Sequence, residues 1–68
     1  MNQREVLTLA KPAESIPSYE AALKGYPNDL FLMEHLAAAY RLTARKDQAD
    51  QMQARIAETQ ALYDRLTQ

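Results

Sequence analysis

An all-α fold is what this sequence predicts, on three observations. Alanine, leucine, glutamine, glutamate and arginine dominate its 68 residues while valine and isoleucine are scarce, a mix that favours helix over strand. Apolar residues recur at spacings of three and four, the period of a helix that buries one face. The one glycine and the three prolines fall at the margins of those periodic stretches, where chain breakers start and stop helices.

Four helical segments can be read in order. The first is short, from Gln3 to Ala10, with Val6, Leu7 and Ala10 on one face. Pro12 stops it, and Lys11 is its boundary because the residue before a proline is pushed out of the helical region. The second runs from Pro17 to Gly25. Ser15 is its expected N-cap, and a proline is tolerated in a first turn. Ile16, Tyr19, Ala22 and Leu23 make its buried stripe. Gly25 supplies the C-terminal stop, and Pro27 prevents continuation.

The third segment starts after Asn28 or Asp29, either of which can cap free backbone N–H groups, and runs to about Ala44. Met33, Leu36, Ala37, Tyr40 and Ala44 line one face, with Phe31, Ala38 and Leu42 round the side. A helix apolar over more than half its circumference calls for neighbours on two sides. The fourth segment opens at Asp47, which with Asp50 resembles a capping box, and runs without a breaker to Leu66. Ala49, Met52, Ile56, Thr59, Tyr63 and Leu66 repeat at 3, 4, 3, 4 and 3, a heptad seam that Leu62 widens near the end. The seam is too short for a coiled coil, so the plainer reading is an amphipathic helix packed on its own domain. The loops expected between the segments are Pro12 to Ser15, Tyr26 to Asn28, and Arg45 to Lys46. Such short connections force neighbouring helices to pack antiparallel.

Composition excludes several function classes. With no cysteine there is no disulfide and no thiol nucleophile, and the single histidine, His35, cannot build a metal cluster alone. Eight basic and nine acidic residues give a net charge of −1, no footprint for nucleic acid or an anionic membrane. No apolar run is long enough to span a bilayer, and "MNQREVLTLAKPAE" is too weak for a signal peptide. No nucleophile–base pair, glycine-rich loop or carboxylate pair is visible. A non-enzymatic chain with no cofactor is expected.

The stretch "SIPSYEAALKGYPNDLFLMEHLAAAY" resembles the junction between two tetratricopeptide repeats, helical hairpins of about 34 residues that stack into a superhelix. Ser15, Tyr19, Ala22 and Pro27 stand where that family's second helix carries its small, aromatic, small and turn residues. Met33, Leu36, Ala37 and Tyr40 follow the pattern of the next first helix, and Ala49 is the small residue that opens its partner. Small residues let helices approach closely, and the two tyrosines would fill gaps between hairpins. The resemblance covers about Ser15 to Ala57. It implies one helical domain over 1–68, with a partial repeat over 3–29 and a full repeat over 30–63 whose helix runs to about 66. Met33 departs from the family's usual tryptophan, Gln53 from an aromatic, and Ala61 from the terminal proline, which suits a capping helix at the end of an array.

In that family the first helix of a hairpin lines a concave groove. Carried over, the partner-binding candidates are Phe31 and Leu42 for apolar contact, Glu34 and Arg41 for orienting a peptide, and Ala38 between them. The alternatives are packing on a neighbouring helix for the apolar pair and a solvated face for the charged pair. The family's carboxylate clamp needs Lys and Asn here, and Glu34 and Ala38 do not supply it. Arg41, Arg45 and Lys46 are explained by a helix C-terminus, whose dipole favours cations. The function implied is a protein-interaction module that binds a peptide or protein surface. The alternative is a self-assembly element, since Leu7, Leu9, Phe31, Leu32 and Leu42 are more apolar surface than so short a chain is expected to bury. Either way a homo-oligomer or docking on further repeats is expected.

Overall fold

Pro12 opens a helix rather than closing one. In the computed structural model, which describes residues 11–67, the first helix, α1, spans Pro12–Gly25. Lys11 precedes it in a non-helical conformation, and Pro12 occupies the first helical position, where a missing N–H costs nothing. The expected loop from Pro12 to Ser15 is therefore a helical turn. Ser15 is not a cap: it is fully buried, and its Oγ donates back to the Pro12 carbonyl at 2.8 Å. Pro17 falls inside α1 rather than at its start and leaves the Ala13 carbonyl without its helical donor. The segment expected over Gln3 to Ala10 lies outside the described residues.

The second helix, α2, spans Leu30–Leu42, and the third, α3, spans Lys46–Leu66. Asp29 caps α2 as expected, its carboxylate accepting from the Leu32 N–H at 3.2 Å. The end of α2 comes two residues earlier than its apolar pattern suggests. Ala44 is exposed and adopts a left-handed backbone with φ of 60°. The Arg45 N–H bonds the Tyr40 carbonyl at 2.8 Å, and the Ala44 N–H bonds the Arg41 carbonyl at 3.3 Å. That pair of bonds is the Schellman closure, which requires a left-handed residue. For α3, Arg45 rather than Asp47 stands at the N-cap position and makes no side-chain cap. Asp47 is the second residue of the helix, in the first turn, where its charge complements the helix dipole.

Three antiparallel helices result, and α2 is the middle one. It packs against both α1 and α3, whereas no Cα of α1 lies within 8 Å of α3. The layer is open, not a closed bundle. Ile16, Tyr19 and Leu23 of α1, Leu32, Met33, Leu36, Ala37, Ala39 and Tyr40 of α2, and Ala49 and Ile56 of α3 form one core. Of the apolar residues expected to exceed what the chain can bury, Leu32 is buried while Phe31 and Leu42 are exposed, and Ala39 is buried with Leu32. Both follow from the two-sided burial of α2, which covers about 160° of its circumference at 100° per residue. Ala37 and Ala49 are buried at the α2–α3 contact, where small side chains permit close approach. Thr59 is buried too, its Oγ1 donating to the Arg55 carbonyl at 2.8 Å and lying 3.8 Å from Met33 Sδ.

The seam of α3 is covered only in part. Twenty-one residues make a helix about 31 Å long, against about 20 Å for the thirteen of α2. Arg41 faces Gln53, Met33 faces Thr59, and Asn28 faces Tyr63. Residues beyond Tyr63 therefore pass the N-terminal end of α2. Tyr63 and Leu66, expected in the seam, are 41% and 72% exposed, and Leu62 is 43% exposed.

Candidate functional site

The sequence-predicted partner-binding residues fall on one face of α2. At 100° per residue, Phe31, Glu34, Ala38, Arg41 and Leu42 span an arc opposite Leu36 and Tyr40. Phe31 is 36% and Leu42 56% exposed, Ala38 is half-buried between them, and Glu34 and Arg41 are exposed. The two charges lie on the same edge of the apolar stripe, about 10 Å apart along the axis.

Two of these side chains, Phe31 and Arg41, contact neighbours that tie them to the rest of the fold. The Phe31 ring lies 4.1 Å from that of His35, and His35 in turn lies 5.7 Å from Tyr19 of α1. His35 Nδ1 is 2.8 Å from the Phe31 carbonyl; a carbonyl only accepts, so Nδ1 carries the proton. His35 is thus a packing residue that bridges α1 to the stripe. On the other flank Arg41 Nη1 donates to Gln53 Oε1 of α3 at 3.5 Å. The stripe is fixed from both sides by the helices that α2 packs on.

Tyr19, Met33, Leu36, Ala37, Tyr40 and Ala49 are buried, Ala22 is half-buried against the core, and Pro27 is exposed in the turn between α1 and α2. Tyr40 reaches across to α1, where its hydroxyl donates to Glu20 Oε2 at 2.9 Å. Burial first, then the hydrogen bond to Glu20 and that carboxylate's charge, push the Tyr40 pKa up to about 12.

Two concavities were not legible in the sequence. On the side of α2 opposite the stripe, a groove of about 370 Å³ has Leu36 and Tyr40 at its floor. Glu20, Leu23 and Lys24 of α1 wall one side, Met52 and Arg55 of α3 the other. It exists because α1 and α3 do not meet, a fact of tertiary packing with no local signal. The second lies at the end of the layer, between the α1–α2 turn and Tyr63. Arg55 Nη2 donates to the Pro27 carbonyl and the Tyr63 hydroxyl to the Asn28 carbonyl, both at 2.7 Å.

Among the described residues no three His, Cys, Asp or Glu side chains come together as a metal site would require. No buried side-chain nitrogen or oxygen there lacks a hydrogen-bond partner, and no helix of the described residues is long and apolar enough to cross a membrane. No family model, curated protein or solved structure matches this chain.

Proposed function

We propose that the chain is a non-enzymatic protein-interaction module of tetratricopeptide type that receives a peptide or helix along the outward face of α2. The observation that carries this reading is the outward face of α2, where Leu42 is 56% exposed and Ala38 half-buried between exposed Glu34 and Arg41, opposite the face buried against α1 and α3. An apolar stripe with charges along one edge suits an amphipathic helix laid across it. Glu34 and Arg41 set its direction, favouring a basic residue near the start of α2 and an acidic one near its end. The burial of Tyr19, Ala37, Tyr40 and Ala49 supports the resemblance, since those positions are the ones a stacked helical hairpin needs filled.

Selection of displayed peptides of about 15 residues, four turns of helix, tests this reading. Binders should weaken roughly tenfold or more on Leu42→Glu, the scale of a binding hot spot, with helicity unchanged. Reversing Arg41 to Glu should shift the selected sequences from acidic to basic at the matching end. Binders indifferent to both changes would place the interaction elsewhere.

A further inference from the structure

The last turns of α3 carry an apolar stripe that the layer does not cover, and its flanks carry charge in a particular order. Leu62 and Leu66 are four residues apart and both exposed, so they stand one above the other on the same face. At 100° per residue, Glu58 and Arg65 share one flank of that stripe. Both are exposed, seven residues apart, and neither takes part in an ion pair among the described residues. Seven residues is too far for the two to pair within one helix, where partners lie three or four apart.

We propose that this surface pairs with a second copy of the chain, the two α3 ends crossing antiparallel about a two-fold axis near Leu62. An antiparallel pair of helices brings the same flank of each together. With the axis there, Leu62 of each copy meets Leu62 of the other, and Leu66 of each lies one turn to either side of that contact. Glu58 of each then faces Arg65 of the other, and the symmetry forms that ion pair twice. A parallel pair about a two-fold would instead set Glu58 and Arg65 against the opposite flank of the other copy, which carries Thr59 and Tyr63 and no charge, so the charge order favours the antiparallel arrangement. Leu66 lies beyond the beginning of α2, at the opposite end of the layer from the start of α1. The surface is small, so the dimer is a weak one. It uses α3 and leaves the α2 stripe open, and so stands independently of the peptide-binding reading.

Sedimentation equilibrium of the 68-residue chain, from about 10 μM to about 1 mM as a small interface requires, should show a monomer–dimer equilibrium. Leu66→Glu, a change at an exposed position, should leave a monomer throughout with unchanged helicity. Glu58→Arg or Arg65→Glu alone should raise the dissociation constant roughly three- to tenfold, as two exposed ion pairs turn repulsive. The double variant should restore the dimer, and a mixture of the two single variants should form heterodimers. Leu42→Glu should leave dimerisation intact. A wild-type monomer at the highest concentration would overturn the proposal. So would a dimer indifferent to Leu66→Glu, or a charge swap that fails to recover. A monomer that loses stability on Leu66→Glu would show that the chain's own residues cover the stripe, which also overturns it.

Discussion

The two connections between helices are built on opposite principles. The first, from Tyr26 to Asp29, holds few bonds of its own: the Asp29 N–H reaches the Tyr26 carbonyl at 3.1 Å. Its Pro27 and Asn28 carbonyls are held from outside, by Arg55 and Tyr63 of α3. The second, from Thr43 to Arg45, closes on itself. The Ala44 and Arg45 amides bond back into the last turn of α2, and Thr43 Oγ1 donates to the Ala39 carbonyl at 2.8 Å. One turn depends on a helix that arrives about thirty residues later, and the other is complete once α2 has formed. Where the glycine sits adds to the contrast. Gly25 precedes the first turn with no positive φ, while the left-handed position of the second is filled by alanine.

The largest test of this arrangement is Tyr40, where both hairpins meet. Its side chain is buried between α1 and α2, its hydroxyl holds Glu20, and its carbonyl anchors the second turn. Tyr40→Ala should cost roughly 3 kcal/mol or more, the range of large-to-small changes in a core. Arg45→Ala, at an exposed side chain in the same turn, should cost less than about 1 kcal/mol. Urea denaturation measures both, and equal effects would show that the buried face of α2 is wrongly identified.

The next effect in size is alkaline. A free tyrosine titrates near pH 10, and Tyr40 is raised to about 12. The folded state therefore keeps the phenol proton that the unfolded chain releases. Its contribution is fully present below about pH 10 and is lost as pH rises through about 12. A difference of this kind amounts to about 3 kcal/mol. Tyr40→Phe should lower stability at neutral pH by about 1 kcal/mol, the value of one hydrogen bond, yet flatten the decline between those two pH values. Comparing the two proteins at each pH cancels the titration of lysine and the other tyrosines. An unchanged slope would show that the phenol is not protected.

A third and smaller effect isolates the second turn. An alanine in the left-handed region carries steric strain of about 1–2 kcal/mol that glycine lacks. Glycine gives part of this back through its freer unfolded chain. Ala44→Gly should therefore stabilise the protein by about 1 kcal/mol, read as a higher urea midpoint at constant slope. A loss of stability would mean that the Schellman closure does not form.

How much of this was legible in the sequence follows from the range of each cause. Helix identity came through, because the periodicity of Tyr19, Leu36, Tyr40, Ala49 and Ile56 is imposed by the core they share. The stripe of Phe31, Ala38 and Leu42 was legible as a face, since only the helical period is needed to assemble it. Boundaries set by competing local signals were not. Two prolines five residues apart admit either a stop and a start or one helix beginning at the first, and the burial of Ser15 and Ile16 decides for the latter. The end of the α3 seam was misread for another reason. The heptad pattern continues through Tyr63 and Leu66, but the partner helix has already ended, and its length is not written in α3.

The smallest effect concerns the glycine itself. Gly25 reads in the sequence as the residue that stops α1 by turning left-handed. It does not: it is the last helical residue, with no positive φ, and the chain leaves the helix at Tyr26 ahead of Pro27. A Cβ built at Gly25 meets nothing within 4 Å. Neither backbone nor packing there requires glycine, so its freedom only adds to the entropy of the unfolded chain. Gly25→Ala should therefore stabilise by roughly 0.5 kcal/mol. Positions 25 and 44 flank α2, a helix about 20 Å long, far enough apart for independent effects to add. The double variant, Gly25→Ala with Ala44→Gly, keeps the composition and moves the glycine from one turn to the other. It should gain about 1.5 kcal/mol over the parent in urea denaturation. A Gly25→Ala variant that loses stability would show that the first turn needs a glycine's freedom after all, and that Arg55 and Tyr63 hold it in a conformation an alanine resists.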